Sequence, residues 1–546
     1  MSSDPVTTTM MHAPMTVRGI LEHGARIHRH ARVVDFDGTT PTATPFAEVA
    51  DRSARLATAL DELGVGRGDV VATLCWNHRA HLEAYLAVPS MGAVLHTLNL
   101  RLFPDQLAWI MEHAPDAALI VDADLLELLA EVLADGRVPR LGPILVVGGD
   151  GAPLASRTTH AYEEVVAAAA PFSAWSELDE TDPAAICYTS GTTGNPKGVV
   201  YGQRSVFVHS LASMARDTFG IGQDDRILMM PPMFHANAWG LPYTGWLAGA
   251  DLVMPASHLK PAQVRTLIEA ERPTFTAMVP TLVNDLLAAH ETDPLDLACF
   301  RMIVSGGSPV APALIERVRQ TWGVPILQGW GMTETSPLCA LSIPPRGTRV
   351  EDEPAWRATA GRPVPGMQVR LREADGAAVA EDGEAVGELQ LRGHWVTGGY
   401  HRDPDPDSFT ADGWLRTGDV GTIDADGYVR ITDRVKDVIK SGGEWISSVE
   451  LENRLLEHPD VGEAAVLGIA DPRWEERPLA LIVPRDGREP DFAALRAHLR
   501  DRVARFWLPE YWARIDGLPK TGVGKVDKKR LRDELTAGRI EVREER

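Results

Sequence analysis

The chain has 546 residues, too many for one hydrophobic core, so a large domain and at least one smaller domain are expected. Acidic residues outnumber basic ones by 76 to 54, and the formal net charge of −22 argues against nucleic acid as a partner. Four scattered cysteines form no disulfide-like framework, and neither a secretory signal nor a membrane-spanning apolar run is expected. These features predict a cytoplasmic protein without an integral membrane segment.

Helix-like and strand-like segments alternate in the first part of the chain. Residues 54–63 have helical spacing and end at Gly64, and residues 69–74 then have the composition of a buried strand. The alternation returns around residues 117–122 and 144–147. It predicts a layered α/β domain with parallel-type sheets.

More strands are predicted in the middle of the chain. Residues 184–188 and 198–201 flank a polar loop, and strand-like segments at 275–279, 301–305 and 325–328 each precede another loop. Ligands of α/β proteins bind at such strand ends. These loops are therefore the candidate ligand-binding segments.

The character of the sequence changes near residue 366. Short apolar strands broken by Asp-Gly turns predict a β-rich subdomain up to about residue 434. Beyond it, helix, strand, strand and helix are predicted at 449–456, 464–469, 479–484 and 491–505. The predicted fold class is thus α/β, with a large N-terminal domain over residues 1–432, a hinge over 433–437 and a small α+β domain over 438–546 that the hinge would make mobile.

The polar loop at residues 188–198 reads YTSGTTGNPKG. Glycines let backbone N–H groups approach a polyphosphate, hydroxyls add donors, and Lys197 adds a positive charge. The loop is not a Walker A motif, because Pro196 precedes the lysine and Gly198 follows it. A flexible surface loop is the alternative interpretation. The candidate nucleotide-binding residues here are Thr189, Ser190, Gly191, Thr192, Thr193 and Lys197.

This loop resembles the phosphate-binding motif of the adenylate-forming superfamily, which includes acyl-CoA synthetases, peptide-synthetase adenylation domains and beetle luciferases. The segment QGWGMTE at residues 328–334 resembles the family's adenine and magnesium motif. An indole covers a purine well, and a carboxylate suits a hard divalent cation. The resemblance implies nucleotide contacts from Gln328, Gly329, Trp330, Gly331 and Met332, catalytic roles for Thr333 and Glu334, and Mg²⁺ ligation by Thr189 and Glu334.

Three later segments extend the resemblance. WLRTGD at 414–419 resembles the ribose motif, and DRVKD at 433–437 resembles the hinge, although both could be ordinary turns. KSGGEWIS at 440–447 resembles the segment that lines the pantetheine tunnel. The implied binding residues are Asp419 and Arg434 for ribose, Asp433 as pivot, and Lys440, Gly442, Gly443 and Trp445 for CoA.

The C-terminal segment LPKTGVGK at 518–525 resembles the family's lysine motif. The resemblance implies that Lys525 lies over the α-phosphate and the acyl carboxylate during catalysis. Lys520 and residues 528–530 are predicted to be solvated instead. An exposed, inert Lys525 is the alternative.

Two segments concern the acid. MFHANAW at 233–239 resembles the gate motif of fatty acyl-CoA synthetases, with Trp239 closing an acyl tunnel and His235 orienting the carboxylate or the thiol, although an aromatic core patch would look similar. VSGGSP at 304–309 would line the acyl pocket and touch adenine, but Ser308-Pro309 departs from the pair common in long-chain members. The implied acid-binding residues are His235, Trp239, Val304, Gly306, Gly307 and Trp330, with Gly307 and Ser308 also at the nucleotide.

The resemblance implies an ATP-dependent acid:CoA ligase that uses ATP, Mg²⁺ and CoA and forms an acyl-adenylate first. Bacterial medium- and long-chain fatty-acid ligases look most similar, and these imply a homodimer. A biosynthetic enzyme that delivers a short, thioether or aryl acid to a carrier-protein thiol or a nitrogen acceptor remains open. A catalytically silent scaffold on the same fold and a luciferase-like oxygenase remain open too. The presence of Lys197, Glu334, Asp419 and Lys525 argues against the scaffold.

Overall fold

The computed structural model describes residues 8–149, 154, 157–189, 195–373, 375–434, 436–441, 444–485, 488, 490–520 and 526–545, with only the backbone of Glu444 and Trp445. In chain order its strands are β1 (Arg32–Phe36), β2 (Pro41–Pro45), β3 (Val70–Leu74), β4 (Val94–Thr97), β5 (Asp116–Asp122), β6 (Ile144–Val147), β7 (Thr159–Ala161), β8 (Pro183–Tyr188), β9 (Gly198–Gly202), β10 (Arg226–Leu228), β11 (Asp251–Met254), β12 (Phe275–Met278), β13 (Met302–Gly306), β14 (Ile326–Gly331), β15 (Leu338–Leu341), β16 (Arg362–Pro363), β17 (Met367–Arg372), β18 (Gly387–Gly393), β19 (Leu415–Ile423), β20 (Val429–Arg434), β21 (Ile439–Ser441), β22 (Glu444–Ile446), β23 (Val461–Asp471), β24 (Glu475–Pro484), β25 (Tyr511–Arg514) and β26 (Arg543–Glu544).

The helices surround these strands. They are α1 (Val17–Ile27), α2 (Phe46–Glu62), α3 (Arg79–Ser90), α4 (Pro104–His113), α5 (Leu126–Leu133), α6 (Tyr162–Ala168), α7 (Gln203–Met214), α8 (Leu241–Ala248), α9 (Pro261–Glu271), α10 (Pro280–Thr292), α11 (Pro312–Trp322), α12 (Glu353–Arg357), α13 (Ser448–Leu456), α14 (Phe492–Arg500) and α15 (Lys528–Thr536). Across the described residues, no helix has the length and apolar composition that a membrane crossing requires.

A seven-stranded sheet has the order β7-β6-β5-β3-β4-β8-β9. Its strands run parallel except at β9, which pairs antiparallel with β8. Consecutive residues of β5 enter two cores, because Leu119 packs with α4 and α5 while Ile120 packs with α2 and α3. Helices on both faces explain why the central strands β3, β5 and β6 are mostly apolar.

A nine-stranded sheet has the order β16-β15-β14-β13-β12-β10-β11-β1-β2. The strand ends that lead into the candidate functional site belong to this sheet. Strands β12, β13 and β14 are parallel neighbours. Their register places Met278 beside Ser305, and Gly306 beside Gly329. The loops after these strands therefore leave one edge of the sheet side by side.

The last part of the chain forms two smaller sheets. Strands β17 to β20 make a four-stranded antiparallel sheet, and its Leu389 and Val429 belong to the large core of the preceding sheets. Strands β21 to β26 make a six-stranded sheet with cores of its own around Trp512 and Leu479. This architecture confirms the predicted α/β class with a β-rich part and a small α+β part. The domain boundaries at 432/433 and 437/438 stay predictions.

Two sequence-based expectations near the C-terminus are wrong. The helix expected over 491–505 ends at Arg500, because Asp501 leaves helical geometry at φ −99° and ψ 5°; aspartate competes for backbone groups and favours helix ends. Lys528, expected in solvent, is 12% exposed and pairs with Glu452 at 2.7 Å. A run of basic residues in the sequence shows that charge is present. Whether each of these side chains is buried depends on the element that packs against it.

Candidate functional site

One cavity of about 2430 Å³ lies between the strand ends of the large sheets, the four-stranded sheet and the C-terminal part. Most of the predicted site residues that the structure describes converge on it although they are spread over the chain. Those that line it are Thr189, Lys197, His235, Trp239, Val304, Gly306, Gly307, Ser308, Gln328, Gly329, Trp330, Gly331, Met332, Thr333, Glu334, Asp419 and Arg434.

Some predicted residues are not placed in this cavity. Lys440 is exposed, and its backbone N–H donates to Glu476 Oε2 at 2.9 Å. Trp445 pairs with Lys440 between β21 and β22, but only its backbone is described. The predicted residues that lie outside the described part of the chain are Ser190, Gly191, Thr192, Thr193, Gly442, Gly443 and Lys525.

The two ends of the polar loop, Thr189 and Lys197, are hydrogen-bonded to each other. The Thr189 N–H donates to the Lys197 carbonyl at 2.9 Å, and the Lys197 N–H donates to Thr189 Oγ1 at 3.2 Å. These bonds continue the antiparallel pairing of β8 and β9. They fix the backbone of Lys197 at the end of the loop, and its side chain lines the cavity.

Lys197 has two partners that the sequence did not suggest. Its Nζ pairs with the carboxylate of Asp405, which also accepts a hydrogen bond from Ser408 Oγ at 2.7 Å. The hydrogen bond from Lys197 keeps the pKa of Asp405 below its usual value. The same Nζ lies 4.9 Å from the ring centroid of Tyr400. Lys197 is thus oriented by a carboxylate and an aromatic face.

Tyr400 also connects this lysine to Glu334. Its hydroxyl donates to Glu334 Oε1 at 2.8 Å. Burial and the Glu334 charge raise the pKa of Tyr400 well above its usual value, so the phenol stays protonated as a donor. Glu334 itself is 7% exposed. One tyrosine therefore contacts a buried carboxylate through its hydroxyl and the Lys197 ammonium through its ring.

The predicted adenine and ribose residues contact each other. Trp330 Nε1 donates to Asp419 Oδ2 at 3.0 Å, and Arg434 Nε lies 2.7 Å from Asp419 Oδ1. Asp419 is only 4% exposed, whereas the Arg434 side chain is 44% exposed. The indole and the carboxylate are consequently fixed relative to each other at one side of the cavity.

Backbone packing around β14 explains the glycine after Trp330. A β-carbon at Gly331 would lie 1.8 Å from the Pro337 carbonyl oxygen, so only glycine fits at this irregularity in the strand pairing. The Oε1 atom of Gln328 accepts a hydrogen bond from the Val310 N–H at 2.7 Å. This bond ties β14 to the segment that follows β13.

The acid-side segment has an unusual backbone. Ala236, Asn237, Ala238 and Trp239 all have positive φ, from 44° to 59°, which costs roughly 1–2 kcal/mol per residue. The turn carries the Trp239 ring to β13, where a β-carbon at Gly306 would lie 3.2 Å from the ring. His235, half-buried, begins this turn. Such strain persists only where the surroundings hold it.

Two buried residues that the sequence did not suggest hold this turn. Asn77 Nδ2 donates to the carbonyls of Met229 and Pro231 at 2.7 and 2.8 Å, and Asn77 Oδ1 accepts from the Met233 N–H at 2.7 Å. The Tyr85 hydroxyl donates to the Met233 carbonyl. No local motif marks Asn77 or Tyr85, because Asn77 lies in the bend before α3 and Tyr85 lies in α3, both far along the chain from the turn that they hold.

Cys75, His78 and Asp122 also lie close enough to hold a metal ion, with donor atoms within 4.8 Å of one another. Both nitrogens of His78 are already used, however. Nε2 lies 2.8 Å from Asp122 Oδ1, and Nδ1 accepts from the His81 N–H at 3.2 Å at the start of α3. This cluster is best explained as a cap for α3.

Family models and related proteins match this chain over most of its length. The family model described as "AMP-binding enzyme" matches residues 21–401, and that described as "AMP-binding enzyme C-terminal domain" matches residues 450–525. Two curated relatives match almost end to end. The 3-methylmercaptopropionyl-CoA ligase of Ruegeria lacuscaerulensis is 39% identical, covering 96% of this chain and 98% of its own. The long-chain-fatty-acid–CoA ligase of Thermus thermophilus is 41% identical, covering 96% and 97%.

A solved structure agrees with these matches. The crystal structure of an anthranilate CoA ligase in complex with anthranoyl-AMP superposes with a TM-score of 0.86 at 25% identity, covering 96% of this chain and 99% of that one. The family resemblance inferred from the motifs is therefore confirmed. The chain belongs to the AMP-binding enzyme family, in its acyl-CoA synthetase branch, and is an ATP-dependent, AMP-forming acid–thiol ligase.

Proposed function

We propose that this enzyme forms the CoA thioester of an apolar monocarboxylic acid, with medium- and long-chain fatty acids as the leading substrates. The acid carboxylate attacks the α-phosphorus of ATP and pyrophosphate leaves. The CoA thiol, losing its proton, then attacks the acyl carbonyl and AMP leaves. The observation that carries this proposal is the single cavity shared by the nucleotide and acid-side residues.

The buried lining on the acid side supports an apolar acid. Met230, Phe234, Met278 and Val304 line the cavity and are at most 4% exposed. The buried amide of Asn77 is fully engaged with backbone groups. An amino acid would need a carboxylate partner for its ammonium, and a buried unpaired charge is costly. These side chains favour a hydrocarbon or thioether chain.

The residues around Glu334 fit a magnesium ion. Among the described residues, the Glu334 carboxylate has Tyr400 as its hydrogen-bond partner, on Oε1. A buried carboxylate with lone pairs to spare suits a hard cation. Mg²⁺ bound there, with Thr189 as a second ligand, would neutralise polyphosphate charge. Lys197 and the Thr333 hydroxyl would contact the phosphates, Asp419 and Arg434 the ribose, and Lys525 the α-phosphate.

The substrate is tested with the purified enzyme, ATP, Mg²⁺, CoA and a series of acids: 3-methylmercaptopropionate, isobutyrate, benzoate, octanoate, dodecanoate and hexadecanoate. We expect the highest kcat/KM for octanoate or a longer fatty acid, with acyl-CoA identified by mass spectrometry. Pyrophosphate release without thioester would favour another acceptor, namely a carrier-protein thiol or a nitrogen nucleophile. Absence of pyrophosphate with every acid would contradict the proposal. Sedimentation of the same sample tests the proposed homodimer.

A short thioether or branched acid is the second candidate. The Trp239 ring lies beside Gly306, where even a β-carbon would come within 3.2 Å of it, and this position would shorten the acid-side space. A relative at 39% identity is named for 3-methylmercaptopropionyl-CoA. In that case 3-methylmercaptopropionate would give the highest kcat/KM in the series. The same experiment therefore distinguishes the two candidates.

Replacing Trp239 with alanine should shift the preference toward longer acids. Removing the ring opens space beside Gly306, and one methylene in an apolar pocket is worth about 1–3 kcal/mol, so we expect the kcat/KM ratio of dodecanoate to octanoate to rise by about tenfold. Trp474→Ala, at a tryptophan that is 40% exposed and does not line the cavity, is the matched control. An unchanged ratio in Trp239→Ala would show that the ring does not limit chain length.

A further inference from the structure

A buried charge cluster lies where the C-terminal part meets the four-stranded sheet. Lys528 is the first residue of α15, and its Nζ lies 2.7 Å from Glu452 Oε1 and 2.6 Å from Ser448 Oγ. The side chains of Lys528 and Glu452 are 12% and 18% exposed. Lys528 thus bridges α15 and α13 in a largely dry environment.

Asp433 adds a second carboxylate from the predicted hinge. Its Oδ2 accepts a hydrogen bond from the Ser448 N–H at 2.6 Å, and the residue is 2% exposed. Burial lowers the pKa of Lys528, but the charges of Glu452 and Asp433 outweigh it, and the net shift is upward. The ammonium is therefore charged and interacts with both carboxylates.

Lys528 also lies close in sequence to the predicted catalytic lysine. It follows Lys525 by three residues, so the two α-carbons are at most about 10 Å apart along the chain. Lys520 and Val526 pair with each other on either side of residues 521–525. Lys520, Val526 and Lys528 all line the cavity that contains Trp330. Both flanks of the lysine segment thus line the same cavity as the predicted nucleotide residues.

We propose that Lys528 is a positioning residue for acyl-adenylate formation: bound to Glu452 and Ser448, it fixes the flank of the 521–525 segment toward the nucleotide. This inference rests on the proposed two-step reaction. These contacts tie the start of α15, and with it the end of the 521–525 segment, to α13. Loss of Lys528 should therefore affect the half-reaction that uses Lys525, which is the first one.

The two half-reactions are measured separately with the full-length enzyme. In Lys528→Met, acid-dependent ATP–pyrophosphate exchange should fall about 10- to 100-fold, because small misplacements of a catalytic group are costly. Thioester formation from CoA and chemically prepared acyl-adenylate should stay within about twofold, because Lys525 takes no part in it. Lys528→Arg keeps the charge and should recover most of the exchange rate. Arg530→Met, on the exposed face of α15, is the matched control.

A second variant separates positioning from folding. Lys528→Met leaves two buried carboxylates with less compensation, which destabilises a fold. Lys528→Met/Glu452→Gln removes one of those charges and should show the same selective loss with a Tm closer to that of the wild type. Equal losses in both half-reactions, or normal exchange in the folded double variant, would overturn the role of Lys528. If the wild-type enzyme makes no thioester, the proposed function fails instead.

Discussion

Replacing Glu334 with glutamine should lower the rate of pyrophosphate release by about 10²- to 10³-fold, the usual cost of removing one group that stabilises transition-state charge. Glutamine has the same shape and still accepts the hydrogen bond from Tyr400, which is 2.8 Å long in the wild type. The substitution therefore removes the negative charge and preserves the packing. The Mg²⁺ concentration needed for half-maximal rate should rise as well, because an amide oxygen binds a hard cation more weakly than a carboxylate.

Pre-steady-state pyrophosphate release at several Mg²⁺ concentrations measures this effect. Glu388→Gln is the matched control, because Glu388 is equally buried at 9% exposure but pairs with Arg416 in the four-stranded sheet, away from the cavity. If the Glu334→Gln enzyme kept the wild-type rate and Mg²⁺ dependence, Glu334 would not be a catalytic residue.

Replacing Asp419 with asparagine should raise KM for ATP by about 10- to 100-fold, since hydrogen bonds to a charged acceptor contribute roughly 1.5–3 kcal/mol. The carboxylate is 4% exposed and is held by Trp330 at 3.0 Å and Arg434 at 2.7 Å. Both contacts fix the orientation of the carboxylate that we propose as the ribose ligand. Loss of the charge weakens both the ribose contact and the arrangement of its neighbours.

Comparison of ATP with 2′-deoxy-ATP makes this test specific. The wild-type enzyme should prefer ATP, and the preference should shrink in Asp419→Asn because the acceptor of the ribose hydroxyls is weakened. Asp412→Asn, at an exposed aspartate that lies in the turn before β19 and pairs with Arg370, should keep the full preference. Undiminished discrimination in Asp419→Asn would assign the ribose contact to another group.

Much of the fold could be predicted from local pattern. Short apolar segments located β5, β6, β12 and β13 to within about two residues, because such strands are buried on both faces and leave a continuous apolar signal. The helix expected over 491–505 was too long because apolar spacing continues past Asp501 while the backbone does not. Helix ends depend on capping geometry more than on apolar spacing.

The candidate site was also only partly predictable from the sequence. Residues in contiguous motifs, such as Lys197 and Glu334, could be proposed from the sequence and do line one cavity. Tyr400 and Asp405 could not, because they stand in a turn-rich segment with ordinary composition and reach Lys197 only through tertiary packing. Lys528 was misjudged for the same reason, since its partner Glu452 belongs to another helix.

The proposed mechanism requires that acid activation passes through an acyl-adenylate that CoA then consumes. Rapid quenching of the enzyme with octanoate, ATP and Mg²⁺ in the absence of CoA should yield about one octanoyl-AMP and one pyrophosphate per active site. Addition of CoA should convert that octanoyl-AMP into octanoyl-CoA and AMP without further ATP. Thioester formed with ADP and phosphate as products, or octanoyl-AMP that CoA fails to consume, would contradict this mechanism.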